Sequence, residues 1–190
     1  TLLSELSTMF DPDKTRVVQL TKSYRSTQQI TDFTKDLLVD GEQITAFDRE
    51  GDKPAVLVTD NQDALYERLE QQLAVNDKHD ETTAIIGKTL AECEAVADRL
   101  KADGIHATLI RTENQRLVQG TLIIPAYLAK GLEFDAIIVW DASKNVYSDE
   151  SERQLLYTIC SRAMHQLTIL ANGELTPLMN HVSEDLYVRE

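Results

Sequence analysis

Basic residues are in short supply. Against 32 Asp and Glu there are 19 Lys and Arg, a formal net charge of −13. A broad phosphate-binding surface needs clustered Lys and Arg, so any nucleic-acid contact has to be local. Cysteine is scarce too. Cys93 and Cys160 stand far apart without a CxxC or a Cys/His cluster, which argues against a zinc site or a disulfide scaffold and fits a reducing cytoplasm. The histidines, His79, His106, His165 and His181, are scattered without ligand spacing, so no metal site is expected. No apolar stretch approaches the length of a membrane span, and the first residues lack a basic-then-apolar signal pattern. The expectation is a cytoplasmic protein with no membrane partner.

A complete phosphate-binding loop is also missing. Gly87-Lys88-Thr89 looks like the tail of one, but the motif needs a glycine where Thr82 stands. The apolar run from Ala84 to Ile86 abuts Gly87 directly and leaves no loop whose N–H groups could wrap a phosphate. Thr89 reads instead as a helix cap. No Asp-Glu pair follows a strand to hold magnesium.

What is present is a core. At 190 residues and 42% hydrophobic composition the chain is read as one domain, 1–190. Short β-rich runs ("RVVQL", "AVLV", "TAIIG", "HATLI", "TLII", "AIIVW", "LTIL") alternate with amphipathic helical patterns. Ser26 with Gln29 and Thr89 with Glu92 have capping-box spacing, and Asp149 with Glu152 opens a further helix, "ERQLLYTICSRAM". One helix face carries Ile30, Phe33, Leu37 and Leu38; another carries Leu65, Leu69 and Leu73; a third carries Cys93, Val96, Ala97 and Leu100, ended by Gly104. Strands too apolar for one wet face, alternating with such helices, indicate an α/β fold with a mostly parallel sheet covered on both sides. Residues 1–15 carry a helical stripe, Leu2, Leu3, Leu6, Met9 and Phe10, while "GEQITAFDREGDKP" and "RTENQRLVQG" read as hinges or insertion points.

Ligands of α/β sheets collect where strands and helices meet, and three such junctions carry chemistry. Tyr24 and Arg25 end one strand just ahead of a helix start, where a guanidinium faces the positive helix end and an anion could be shared between them. Taken alone, Arg25 is better accounted for by solvent exposure or pairing with a carboxylate. "AKGLEFD", residues 129–135, interrupts the interior with Lys130, Gly131 and Glu133; it is either a shaped loop at a sheet edge or an ordinary turn with exposed charges. Arg162 falls at the end of a helix before a strand, a position that the helix dipole favours for any cation. Taken together, a ring, two guanidiniums and a carboxylate suit a nucleotide.

In order and spacing, "QLTKSYRSTQQI", "AYLAKGLEFDAIIV" and "RQLLYTICSRAMHQLTIL" resemble motifs IV, V and VI of superfamily I helicases of the UvrD/Rep type. The resemblance implies a RecA-like domain, the second of two that clamp ATP, with the P-loop domain lying outside this chain and supplying the magnesium ligands. It implies that Tyr24 stacks on adenine, Arg25 touches the γ-phosphate, Glu133 holds the ribose and Arg162 is an arginine finger, with Gly131 turning the backbone near the nucleotide. Tyr127 and Lys130 would couple nucleotide state to single-stranded DNA. Where motif V usually has Thr and His, this chain has Pro125 and Tyr127, and residues 111–120 stand where UvrD-type enzymes insert an accessory domain. Both features are similar to a helicase-IV-like bacterial branch, some of whose members act on RNA polymerase. The expected partners are thus the N-terminal RecA-like domain and either single-stranded DNA or RNA polymerase. The function classes are a DNA helicase motor, a polymerase-remodelling ATPase, or a non-catalytic interaction module.

Overall fold

The computed structural model describes residues 26–38 and 50–190. The stripe in residues 1–15, the strand "RVVQL", Tyr24 and Arg25 lie outside the described residues, as does most of the first hinge segment.

In chain order the elements are α1 (Gln28–Leu37), β1 (Ala55–Thr59), α2 (Gln62–Lys78), β2 (Thr83–Gly87), α3 (Leu90–Ala102), β3 (Thr108–Leu109), β4 (Thr121–Pro125), β5 (Phe134–Val139), α4 (Arg153–Cys160), β6 (Ala163–Asn172) and β7 (Val188–Arg189). The strands form one sheet in the order β3-β4-β2-β5-β6-β1-β7, and every pair in it is parallel. This is the helix-covered α/β arrangement that the apolar strands call for.

Side-chain alternation along the strands divides the interior in two. Ala84 and Ile86 of β2, Leu122 and Ile124 of β4, and Ile137 and Val139 of β5 pack with Ile30, Phe33 and Leu37 of α1 and Leu156 and Ile159 of α4. The intervening Ile85, Ile123 and Ile138 pack with Leu65, Leu69 and Leu73 of α2 and Cys93, Val96 and Leu100 of α3. Two helices among the described residues therefore cover each face. Burial of one such side chain contributes about 1.5–3 kcal/mol, so the stripes hold the helices down.

Local signals hold in most places. Thr89 and Glu92 form the capping box of α3. Gly104 leaves that helix at φ +77°. Asp149 and Glu152 form a second box, which starts a short 3-10 turn over Glu150–Glu152 before α4. At α1 the cap moves by one residue: Thr27, not Ser26, accepts from the Ile30 amide. Gln29 is unavailable for a box, because its side chain accepts from the Gly51 amide at 2.8 Å and donates to Glu50. Helix α4 is shorter than its apolar pattern, ending at Cys160. The Ser161 amide bonds the Tyr157 carbonyl and the Arg162 amide bonds that of Ile159, tightening the last turn, and β6 then begins at Ala163.

Residues 111–120 form neither helix nor strand. Gln115 closes this loop, its amide nitrogen donating to the Leu109 carbonyl at 2.7 Å and its oxygen accepting from the Arg111 amide at 2.8 Å.

Candidate functional site

The interruption at "AKGLEFD" follows from topology. β4 and β5 both run parallel to β2, on opposite sides of it, so the chain leaving β4 at the carboxyl rim must return to the amino rim to start β5. Only residues 126–133 are available for the crossing. A five-residue strand is about 17 Å long at ~3.3 Å per residue, and parallel crossovers ordinarily use about a dozen residues or more. A conventional helix does not fit in so short a link. The chain makes a single 3-10 turn, Ala126–Leu128, laid against the sheet through the small buried residues Ala126 and Ala129. It then turns at Gly131, whose φ of +82° is costly for residues with a Cβ.

At the amino rim the chain meets itself. Three successive carbonyls at the start of β6 accept hydrogen bonds from two distant corners. The Phe134 amide, next to Glu133, donates to the Arg162 carbonyl at 3.0 Å. The Ser26 hydroxyl donates to the Ala163 carbonyl at 2.6 Å, and the Thr27 amide donates to that of Met164 at 3.2 Å. β1 begins to pair with β6 only at Thr168, so Ser26 and Thr27 cover an edge of β6 that has no strand beside it among the described residues. The register between β5 and β6 shifts here as well, Phe134 facing Ala163 and Ala136 facing Gln166. Such a bulge re-aims the side chains around it.

Glu133 and Arg162 are thus flanked by one hydrogen-bonded junction, and both are half-buried. The Arg162 Nε–H is buried without a hydrogen-bond partner among the described residues, and Nη2 reaches only the Ser161 hydroxyl, at 3.4 Å. Gly131 and Lys130 are exposed on the crossing. Tyr127 does not join this rim: it follows the carboxyl end of β4, 58% exposed, so the crossing spans the two rims from Tyr127 to Glu133. Tyr24 and Arg25, immediately ahead of Ser26, lie outside the described residues.

Lys88 has an internal role. Its ammonium donates to the Val146 carbonyl at 2.7 Å, pairs with Glu152 and lies 5.5 Å from the Tyr147 ring centroid. A lysine held this way supports the start of α4 and does not face a phosphate. Among the described residues no group of His, Cys, Asp and Glu is arranged to hold a metal ion.

Two participants were not legible in the sequence. Ser26 looks like a cap but serves as a cross-brace. Asp135, 1% exposed, accepts from the Thr82 amide at 2.9 Å and faces His165 Nδ1 at 3.4 Å; the available signal was a charge at the head of a buried strand. A pocket of about 410 Å³ lies beside this edge, lined in part by Thr27, Asp52, Asn76, Glu81 and His165. Its carboxylates make it a poor host for a triphosphate.

A family model for the UvrD-like helicase C-terminal domain matches residues 122–170, the stretch from β4 to β6 that contains both described corners. The C-terminal domain of a possible DNA helicase from Lactobacillus plantarum WCFS1 is 56% identical, with 88% of this chain and 98% of that one covered and a TM-score of 0.79. No curated protein matches. The fold is that of a RecA-like α/β domain. The chain belongs to the UvrD-like helicase C-terminal domain family. No helix among the described residues is long and apolar enough to cross a membrane.

Proposed function

We propose that this domain supplies the trans half of an ATP site in a two-domain nucleic-acid motor. The observation that carries the reading is the convergence of the corners bearing Glu133 and Arg162 on one rim, with the Arg162 Nε–H lacking an acceptor among the described residues. A buried unsatisfied donor costs about 1–3 kcal/mol, and a phosphate oxygen is an acceptor of the right charge and geometry for it.

In this reading Arg162 stabilises charge developing on the transferred phosphoryl group, an effect on the order of 10³ to 10⁵ in rate for arginine fingers. Glu133 accepts from the ribose hydroxyls. Tyr24 stacks on the adenine and Arg25 contacts the γ-phosphate, the two residues preceding Ser26 in the sequence. The bound nucleotide brings Mg²⁺, held by carboxylates of the N-terminal RecA-like domain. Exposed Tyr127 and Lys130 sit on the segment that joins the two rims, and rearrangement at Glu133 reaches single-stranded DNA through it. Aromatic stacking needs no basic groove, which suits a chain of this charge.

The test is Arg162→Ala in protein carrying both motor halves. ATP turnover is expected to fall about 10³-fold while nucleotide binding changes little; turnover within a factor of about two of the parent would refute the reading. The isolated chain is expected to leave ATP unhydrolysed.

The net charge of −13 favours one second reading, an ATPase of the helicase-IV-like branch that remodels RNA polymerase. Salt-dependent binding of the intact protein to single-stranded DNA and to polymerase separates the two.

A further inference from the structure

We infer that Ser26 is a positioning residue for Arg162 on this rim, an inference that rests on the ATP-site reading above. Its hydroxyl is not spent on the helix, because Thr27 supplies the cap of α1. It donates instead to the Ala163 carbonyl at 2.6 Å, across 137 positions of sequence. That carbonyl follows directly on Arg162. The neighbouring carbonyls, of Arg162 and Met164, are held by the Phe134 and Thr27 amides, so the middle one is the only member of the series fixed by a side chain.

The arrangement has a mechanical consequence. Arg162 sits in a tight turn between α4 and β6, and among the described residues the edge of β6 beside it has no neighbouring strand until Thr168 pairs with Ala55. Without the hydroxyl, the Ala163–Met164 peptide loses its anchor on that edge, and the turn that aims the guanidinium is held less firmly, by the Phe134 bond to the Arg162 carbonyl and the Thr27 bond to that of Met164. A single hydroxyl thus helps to fix where the Arg162 guanidinium, meant for a phosphoryl group, points. A displacement of about 1 Å in such a group costs on the order of 10²-fold in rate.

The experiment uses protein carrying both motor halves and compares Ser26→Ala, Ser26→Thr and Ser26→Cys with the parent. Ser26→Ala should lower kcat for ATP about tenfold or more and leave KM within about twofold, because Arg162 acts most strongly on the transition state. Affinity for ADP with aluminium fluoride, which mimics the transferred phosphoryl group, should fall in the same proportion. Ser26→Thr keeps the hydroxyl and should restore most of kcat. Ser26→Cys, near-isosteric with a weaker donor, should fall between them and serves as the comparison if Ser26→Ala does not fold. A purely structural role predicts a lower melting temperature with parental kcat and parental analogue affinity for the folded protein; that result overturns the proposal. Arg162→Ala separates the two levels of failure. If it retains turnover, the ATP-site reading fails; if it abolishes turnover while Ser26→Ala keeps parental kcat, only the role of Ser26 fails.

Discussion

Replacing Lys88 tests whether the structure has been understood where the sequence is most misleading. Read as a P-loop remnant, the residue would matter for nucleotide and little for the fold. In the structure it is a brace between the end of β2 and the start of α4. Lys88→Ala removes a charged hydrogen bond to the Val146 carbonyl, an ion pair with Glu152 whose partners are 30% and 16% exposed, and a cation–π contact at 5.5 Å. A hydrogen bond from a charged group contributes about 1.5–3 kcal/mol, and an exposed-site cation–π contact about 0.5–1 kcal/mol. The ion pair adds little beyond the hydrogen bond once solvent screening is allowed for. Glu152 keeps its bonds from the Ser148 and Asp149 amides, so it is not stranded. The expected loss is about 2–4 kcal/mol, or roughly 4–16 °C in Tm for a domain of this size. Urea denaturation of the isolated domain measures it, and a double-mutant cycle with Glu152→Gln should return a coupling of about 1 kcal/mol or less, set by screening. A loss under about 0.5 kcal/mol, the range of ordinary surface substitutions, would refute the bracing role.

Three further outcomes follow from the same geometry. Burial, and then the adjacent Asp103 carboxylate, raise the Glu70 carboxyl to about 7; the folded state therefore holds a proton that the unfolded chain releases near pH 4–4.5, and stability should decline as pH rises from about 5 to 7. Glu70→Gln should flatten that slope in melts recorded across the window, and an unchanged slope would assign it to another group. Asp135→Ala leaves the buried Thr82 amide without this acceptor and should cost about 1–3 kcal/mol or more, read by urea denaturation. Tyr127→Ala, at a 58% exposed position, should leave stability within about 0.5 kcal/mol but weaken single-stranded DNA binding by the intact protein by about 1–3 kcal/mol.

Much of the fold was legible because it rests on short-range pattern. The period-two alternation of Ala84, Ile85 and Ile86 and the stripes of α2 and α3 locate both cores. The Thr89–Glu92 box is readable because its partners are three residues apart and compete with nothing else. At α1 the same logic misassigned the cap, since Ser26 and Gln29 are both claimed by distant backbone. Helix α4 was read too long for a related reason: Ala163 and Met164 suit a helix face, but pairing with β5 and with Thr27 draws them into a strand. The motifs around Glu133 and Arg162 could be recognised as strings, yet nothing in the strings says that the two residues share a rim.

By itself the sequence determined the class of fold, the number and type of most elements, and the family, all of which depend on side-chain period, local caps and contiguous motifs. The tertiary structure alone decided that the corners carrying Glu133 and Arg162 meet while Tyr127 stays at the opposite rim, that Ser26 braces β6, and that Lys88 faces Glu152. Each of these is a contact between segments far apart in the chain. Strand order and register set such contacts, and a one-residue change in register would alter every one of them without changing the pattern from which the elements are read.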